Sequence, residues 1–263
     1  MTGEPFIDRQ HPGRPVVLAI QSDATDAPLM MGEWLEEAGL RVDVVRAFAG
    51  EAVPAAVPPG VHGLLPLGGA MGANDDDIAP WLPDERALLA DAVATGVPVL
   101  GLCLGGQLLA AATGGRVALG PVTEIGVVRV RRTVDGLLDP VISQAVPVAG
   151  SDIPAAQWHQ DHILELPDDA VLLLTNEACR VQGFRLGDTA YGLQLHPEVD
   201  AETFVSWANV DDEALARSGR DVAEAAVEIR AAERDLITAW RPVAQAWADL
   251  VWAHAHDRSP STA

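Results

Sequence analysis

Two rhythms of apolar residues alternate through the first half of the chain. VVLAI (16–20) and VPVLGL (97–102) are apolar at almost every position, the pattern of strands buried on both faces. RVDVVRA (41–47) alternates as a strand, and HGLLPL (62–67) forms another that ends in Gly68 and Gly69. Helical stretches separate them: Pro28 to Ala38, closed by Gly39; Asp84, a candidate N-cap, to Thr95, closed by Gly96; and GGQLLAAAT (105–113). This alternation predicts parallel strands joined by right-handed crossovers. Sites in such sheets gather at the carboxyl ends of strands, where Gly69 and Cys103 fall.

The second half is richer in strands, expected at 123–133, 170–176, 180–186 and 189–195, with GDT (187–189) as a hairpin turn. The polar stretch around His159, Asp161 and His162 reads as near a loop. From Asp200 onward the chain reads as helix. Val222, Ala226, Ile229, Leu236, Trp240, Val243, Trp247 and Leu250 recur at helical spacing, predicting a helix packed on the domain and bent or broken near Pro242. The expected organisation is a flexible leader (1–15), a main domain (16–209), a C-terminal helical extension (210–256) and a disordered tail (257–263).

Composition narrows the partners. Seventeen basic residues against 38 acidic ones give a formal charge of −21, which disfavours nucleic acid and anionic membrane as partners. Every cation is Arg, so Schiff-base, pyridoxal-phosphate and Walker-A lysine chemistries are excluded from this chain. No apolar run approaches the roughly 18 residues of a membrane span, and a cytoplasmic location is expected. The two cysteines, Cys103 and Cys179, form no CxxC pair. Neither a disulfide framework nor a thiolate zinc site is expected, and no metal or other cofactor is called for.

Cys103 sits in GLCLG (101–105), between an apolar strand and a helix. A tight strand-to-helix turn of this kind exposes a nucleophile, with small flanking residues relieving clashes. The helix N-terminus behind the sulfur favours its thiolate, and backbone N–H groups after the turn can stabilise an oxyanion. In LQLHPEV (193–199), His196 can take the thiol proton, and Glu198 can orient the imidazole and stabilise its charged form.

LGGAMG (67–72), GLCLGGQLLA (101–110) and LQLHPEV (193–199) together resemble the class I glutamine amidotransferases: a Gly-Gly loop, a G-x-C-x-G elbow and a C-terminal H-P-E. WHQDHILELP (158–167) and NEACRVQGFRLGD (176–188) are most similar to stand-alone members like the glutaminase domain of GMP synthetase. The resemblance covers roughly residues 16–200 and implies an α/β, flavodoxin-like doubly wound, mostly parallel sheet with a strand-rich second half. It further implies a Cys103–His196–Glu198 triad that passes through a γ-glutamyl thioester. The oxyanion would be held by the backbone N–H groups of Gly69 and Leu104. Gln107 would help seat the substrate, Asp161 would pair with the α-ammonium, and His159 would form a pocket wall beside it. Three positions depart from the family pattern: Gly106 replaces a frequent histidine, Ala70 a proline and Gln160 a glycine.

The expected function is therefore cleavage of the γ-amide of glutamine, or of a γ-glutamyl compound, with release of ammonia. Only 65 residues follow Glu198, so an ammonia-accepting synthase subunit would be a separate protein. A partner-free γ-glutamyl hydrolase or transferase is the alternative, and a silent regulatory or binding module on the same fold is a further one. Cys179 and His62 are read as structural, Asp75, Asp76 and Asp77 as a solvated loop, and metal binding at His159 and His162 is set aside.

Overall fold

A computed structural model describes residues 13–148, 150–208 and 212–257. The leader expected over 1–15 and the tail expected over 257–263 lie almost wholly outside the described residues. Strands β1 (Val16–Gln21), β2 (Arg41–Arg46), β3 (Val61–Pro66) and β4 (Val99–Leu102) alternate with helices α1 (Leu29–Glu37), α2 (Leu82–Thr95) and α3 (Leu104–Ala112). There follow β5 (Arg116–Arg132), the short α4 (Val134–Leu138), β6 (Ile153–Glu165), β7 (Val171–Thr175), β8 (Gly183–Leu186) and β9 (Ala190–Leu193). Helices α5 (Ala201–Trp207), α6 (Asp212–Ser218) and α7 (Val222–Asp257) complete the chain.

The strands form a nine-stranded sheet in the order β2-β1-β3-β4-β9-β8-β7-β5-β6. From β2 to β9 neighbouring strands run parallel, and from β9 to β6 they run antiparallel. This is the α/β sheet expected, parallel where helices alternate with strands and antiparallel where strands follow directly. Every residue of β1 and β4 is buried, as strands covered on both faces must be. Successive side chains of β1 serve opposite layers. Val17 and Ala19 pack with Met31, Trp34 and Leu35 of α1 and with the tryptophans of α7, whereas Leu18 and Ile20 pack with Leu88 and Leu89 of α2 and Leu108 and Leu109 of α3.

Helix α7 is continuous through Pro242 and not broken there. A proline inside a helix costs about 3 kcal/mol in lost hydrogen bonding and steric conflict. Burial of Trp240, Val243, Ala244 and Trp247 around it offsets that cost. Two indoles fasten the helix: Trp240 Nε1 donates to Pro154 O at 2.8 Å and Trp247 Nε1 to Val99 O at 3.2 Å. A Cβ on Gly63 would come within 3.2 Å of the Trp247 ring, so β3 leaves space for it. Among the described residues no helix is long and apolar enough to cross a membrane.

Strand β6 corrects the sequence reading, which put His159, Asp161 and His162 near a loop. All three lie on a strand of 13 residues that pairs antiparallel with β5. Helix α2 also starts earlier than expected, after Trp81, and Asp84 lies in its first turn instead of capping it.

Candidate active site

Cys103 occupies the single residue between β4 and α3, with φ 48° and ψ −108°. A non-glycine residue held there carries strain of about 1–3 kcal/mol, which the surroundings must sustain. Its own N–H donates to Leu193 O at 2.8 Å, and Gly105 N–H donates to Leu67 O at 3.0 Å. The flanking glycines make this packing possible. A Cβ on Gly105 would lie 2.1 Å from Pro66 O, and one on Gly101 would lie 2.6 Å from Gly105 O. The tight elbow is thus dictated by backbone packed against backbone.

His196 and Glu198 follow the end of β9. His196 N–H donates to Ala156 O at 2.9 Å, fastening the segment to β6. The imidazole borders Cys103, whose thiol donates to Trp158 O at 3.8 Å, and the imidazole Nδ1 lies 2.8 Å from Glu198 Oε1. Burial, the largest influence on His196, works against its charged form, yet the neighbouring Cys103 and Glu198 outweigh it. The net result raises its pKa well above the usual histidine range. Asp200 then caps α5 by accepting from Thr203 N–H at 2.7 Å, and that helix returns Trp207 over the imidazole, with ring centroids 4.4 Å apart.

Cys103 and His196 line a cavity of about 650 Å³, and Glu198 holds the imidazole by its Nδ1. Gly69, Gln107, His159 and Asp161 line it as well. Leu104 opens α3, where the first turn leaves its backbone N–H without a partner inside the helix. Gln107 reaches the substrate wall indirectly: its Nε2 donates to Asp161 O at 3.1 Å and to Gln194 Oε1 at 3.2 Å. Gln194 in turn donates to Cys103 Sγ at 3.7 Å.

His159 is clamped between Glu124, 3.1 Å from Nε2, and Asp161 O, 3.0 Å from Nδ1. Burial raises the Glu124 carboxyl, but hydrogen bonds from His159, Asn176 and Gln182 hold it below its ordinary range. Asp161 is raised, first by burial and then by Asp75, with His159 and Arg217 opposing. Asp75, read from sequence as part of a solvated loop, lines the cavity and accepts from Gly72 N–H at 2.7 Å.

A family model for class I glutamine amidotransferases matches residues 34–206. The chain belongs to the class I glutamine amidotransferases. It is 30% identical over 203 residues to the glutamine amidotransferase-like protein YfeJ of Salmonella typhimurium, covering 76% of this chain and 82% of that protein. Against the glutamine-hydrolyzing GMP synthase of Alkalilimnicola ehrlichii it is 30% identical over 194 residues, which is 72% of this chain and 34% of the synthase. The chain thus spans about a third of that relative. The crystal structure of a glutamine amidotransferase from Thermotoga maritima superposes with a TM-score of 0.75 at 28% identity, covering 89% of this chain and 98% of the other.

Within this class I fold, sequence reasoning missed Asp26 and Trp207, which both border His196. Asp26 follows β1 at its carboxyl end, so the strand-end rule could have flagged it. Trp207 gave no local signal, because only the return of α5 brings it to the site. Beside the cavity, one ligand atom each from His159, His162 and Cys179 lie within 4.8 Å of one another. These atoms already have partners. Both His159 nitrogens are engaged, His162 Nε2 meets Val122 O at 2.8 Å, and the Cys179 thiol donates to Val181 O at 3.4 Å. Burial, then Glu124, pushes the Cys179 thiol up to about 12.

Proposed function

We propose that this chain hydrolyses the γ-amide of glutamine, or of a γ-glutamyl compound, through a γ-glutamyl thioester on Cys103. The observation that carries the reading is Cys103 on a strained elbow facing a cavity that it shares with His196, whose Nδ1 lies 2.8 Å from Glu198 Oε1. The Cys103 thiolate attacks the amide carbon, and the tetrahedral oxyanion is held by the backbone N–H groups of Gly69 and Leu104. His196, carrying the thiol proton, gives it to the leaving nitrogen as the C–N bond breaks. Water, deprotonated by the same imidazole, then cleaves the thioester to release glutamate. Glu198 keeps the imidazole oriented and favours its charged form throughout. Asp161 receives the α-ammonium of the substrate, with Gln107 and His159 fixing the position of its backbone.

Ammonia made this way would serve a separate synthase subunit, as the similarity to the amidotransferase portion of GMP synthases suggests. The test is release of ammonia from glutamine, and of glutamate from a panel of γ-glutamyl amides, by the purified chain beside Cys103→Ala. Turnover that vanishes in the variant supports the reading. Turnover that survives, or an inert wild-type chain that also fails to react with a glutamine-analogue electrophile, overturns it.

A further inference from the structure

The cavity holds more carboxyl groups than a γ-glutamyl group requires. Asp26, Asp75 and Asp161 line it, and among the described residues neither Arg nor Lys does. Its two imidazoles, His159 and His196, each already face a carboxylate of their own, Glu124 and Glu198. The α-ammonium and α-carboxylate of a γ-glutamyl group cancel, and Asp161 with Asp75 beside it suffices for the former. A Cβ on Gly72 would lie 2.9 Å from Asp161 Oδ2 and 3.1 Å from Asp75 Oδ2, so these two acids share one side of the cavity.

Asp26 stands apart from them, on the side of His196. A Cβ on Gly68 would lie 2.2 Å from Asp26 Oδ1 and 3.0 Å from His196 Cε1, so carboxylate and ring edge are neighbours across that glycine. Asp26 is only 6% exposed, and among the described residues its side chain accepts from Thr25 at Oδ2, with no such bond at Oδ1. The same imidazole packs against Trp207, with ring centroids 4.4 Å apart and the planes tilted by 50°, and the indole lines the same cavity as Asp26. A carboxylate and an indole bordering one space form a receptor for an organic ammonium. His196 is the group that protonates the leaving nitrogen, so whatever is attached to that nitrogen must extend beside it.

We infer that the preferred substrates are γ-glutamyl amides of diamines or polyamines, whose distal ammonium is received between Asp26 and Trp207. The inference rests on the thioester chemistry proposed for Cys103 and adds the identity of the leaving amine. In the acylation step the C–N bond breaks, the C–S bond forms, and the proton on His196 goes to the departing nitrogen. The diamine leaves with its distal ammonium unchanged, and water completes hydrolysis to glutamate. The environment of Asp26 agrees with this role. Burial foremost pushes its carboxyl up to about 7, with His196 opposing and Asp23 and Glu198 adding to the rise. An arriving ammonium adds a countercharge to that of His196.

The test compares kcat/KM for γ-glutamyl-(4-aminobutyl)amide, its neutral analogue γ-glutamyl-butylamide, and glutamine. Wild-type protein should favour the cationic amide over the neutral one by about ten- to a hundredfold. In Asp26→Asn, which keeps the shape of the side chain, that ratio should fall to near one. A second readout needs no turnover: 1,4-diaminobutane should protect Cys103 from alkylation better than uncharged 1,4-butanediol does, and Asp26→Asn should abolish the difference. Equal kcat/KM for the cationic and neutral amides overturns the inference while leaving the thioester reading intact. Failure of every γ-glutamyl amide and of glutamine overturns both.

Discussion

Glu198→Gln removes one charge from the site and almost no volume. Glu198 Oε1 lies 2.8 Å from His196 Nδ1, and each side chain is only 2% exposed, so solvent screens the pair little. A buried hydrogen bond to a charged group contributes about 1.5–3 kcal/mol. Here it strengthens as the imidazole takes up a proton, so its loss falls on the transition state and corresponds to roughly ten- to 150-fold in kcat/KM. A glutamine amide can also turn its NH2 toward Nδ1, which drives the ring into the wrong tautomer and deepens the loss toward about 10³-fold or more. The pH profile should move as well. Burial, which lowers the pKa of His196, is balanced partly by Glu198. Without that carboxylate the imidazolium loses its proton at lower pH, and the basic limb of kcat/KM shifts down. Steady-state ammonia release measured across pH reads both effects, and thermal unfolding checks that the fold survives. The Oε2 atom of Glu198 has no hydrogen-bond partner, so little stability should be lost. An unchanged kcat/KM with an unmoved basic limb would refute this reasoning.

Three further outcomes follow from other parts of the structure. Glu85 is fully buried, accepts from Ser22 Oγ at 2.9 Å, and has its carboxyl pushed up to about 8, chiefly by burial. Its contribution is intact below the unfolded value of 4.5 and is lost as pH rises toward 8, so Glu85→Gln should stabilise the protein by about 2–4 kcal/mol at pH 8 and hardly at all at pH 4. Urea unfolding at the two pH values checks this, and an equal effect at both refutes it. Gly105→Ala adds a Cβ 2.1 Å from Pro66 O and must push the elbow away from β3. It should cost about 1–3 kcal/mol in denaturant unfolding and about 100-fold in activity, and near-normal turnover would contradict the role given to the elbow. Trp240→Ala, which empties a fully buried site and frees Pro154 O, should cost about 3–5 kcal/mol by thermal unfolding. A cost near zero would mean that α7 is not held by this contact.

The sequence made some of this legible for definite physical reasons. Strands β1 and β4 are visible because burial on both faces demands an apolar residue at nearly every position. Cys103, His196 and Glu198 are visible because each stands in a short local motif beside a strand end. Strand β6 is not, because Gln157, His159, Gln160, Asp161 and His162 break the apolar period expected of it. Those residues are accommodated by a polar network invisible in one dimension: Gln157 donates to Gln182 at 2.5 Å, and Gln182 donates to Glu124 at 2.8 Å. Asp26 and Trp207 escaped notice for a related reason, since each reaches His196 from a separate segment. At Pro242, where the sequence allowed a bend or a break, the helix continues because burial on either side of the proline offsets its penalty.

The sulfur of Cys103 is held to be the atom that becomes acylated. Intact-protein mass spectrometry after rapid acid quench, with glutamine or a γ-glutamyl amide as substrate, tests that statement directly. A γ-glutamyl adduct that maps to the peptide containing Cys103, and is absent from Cys103→Ala, is the expected result. Turnover with no adduct on that residue, or an adduct on another side chain, would contradict it.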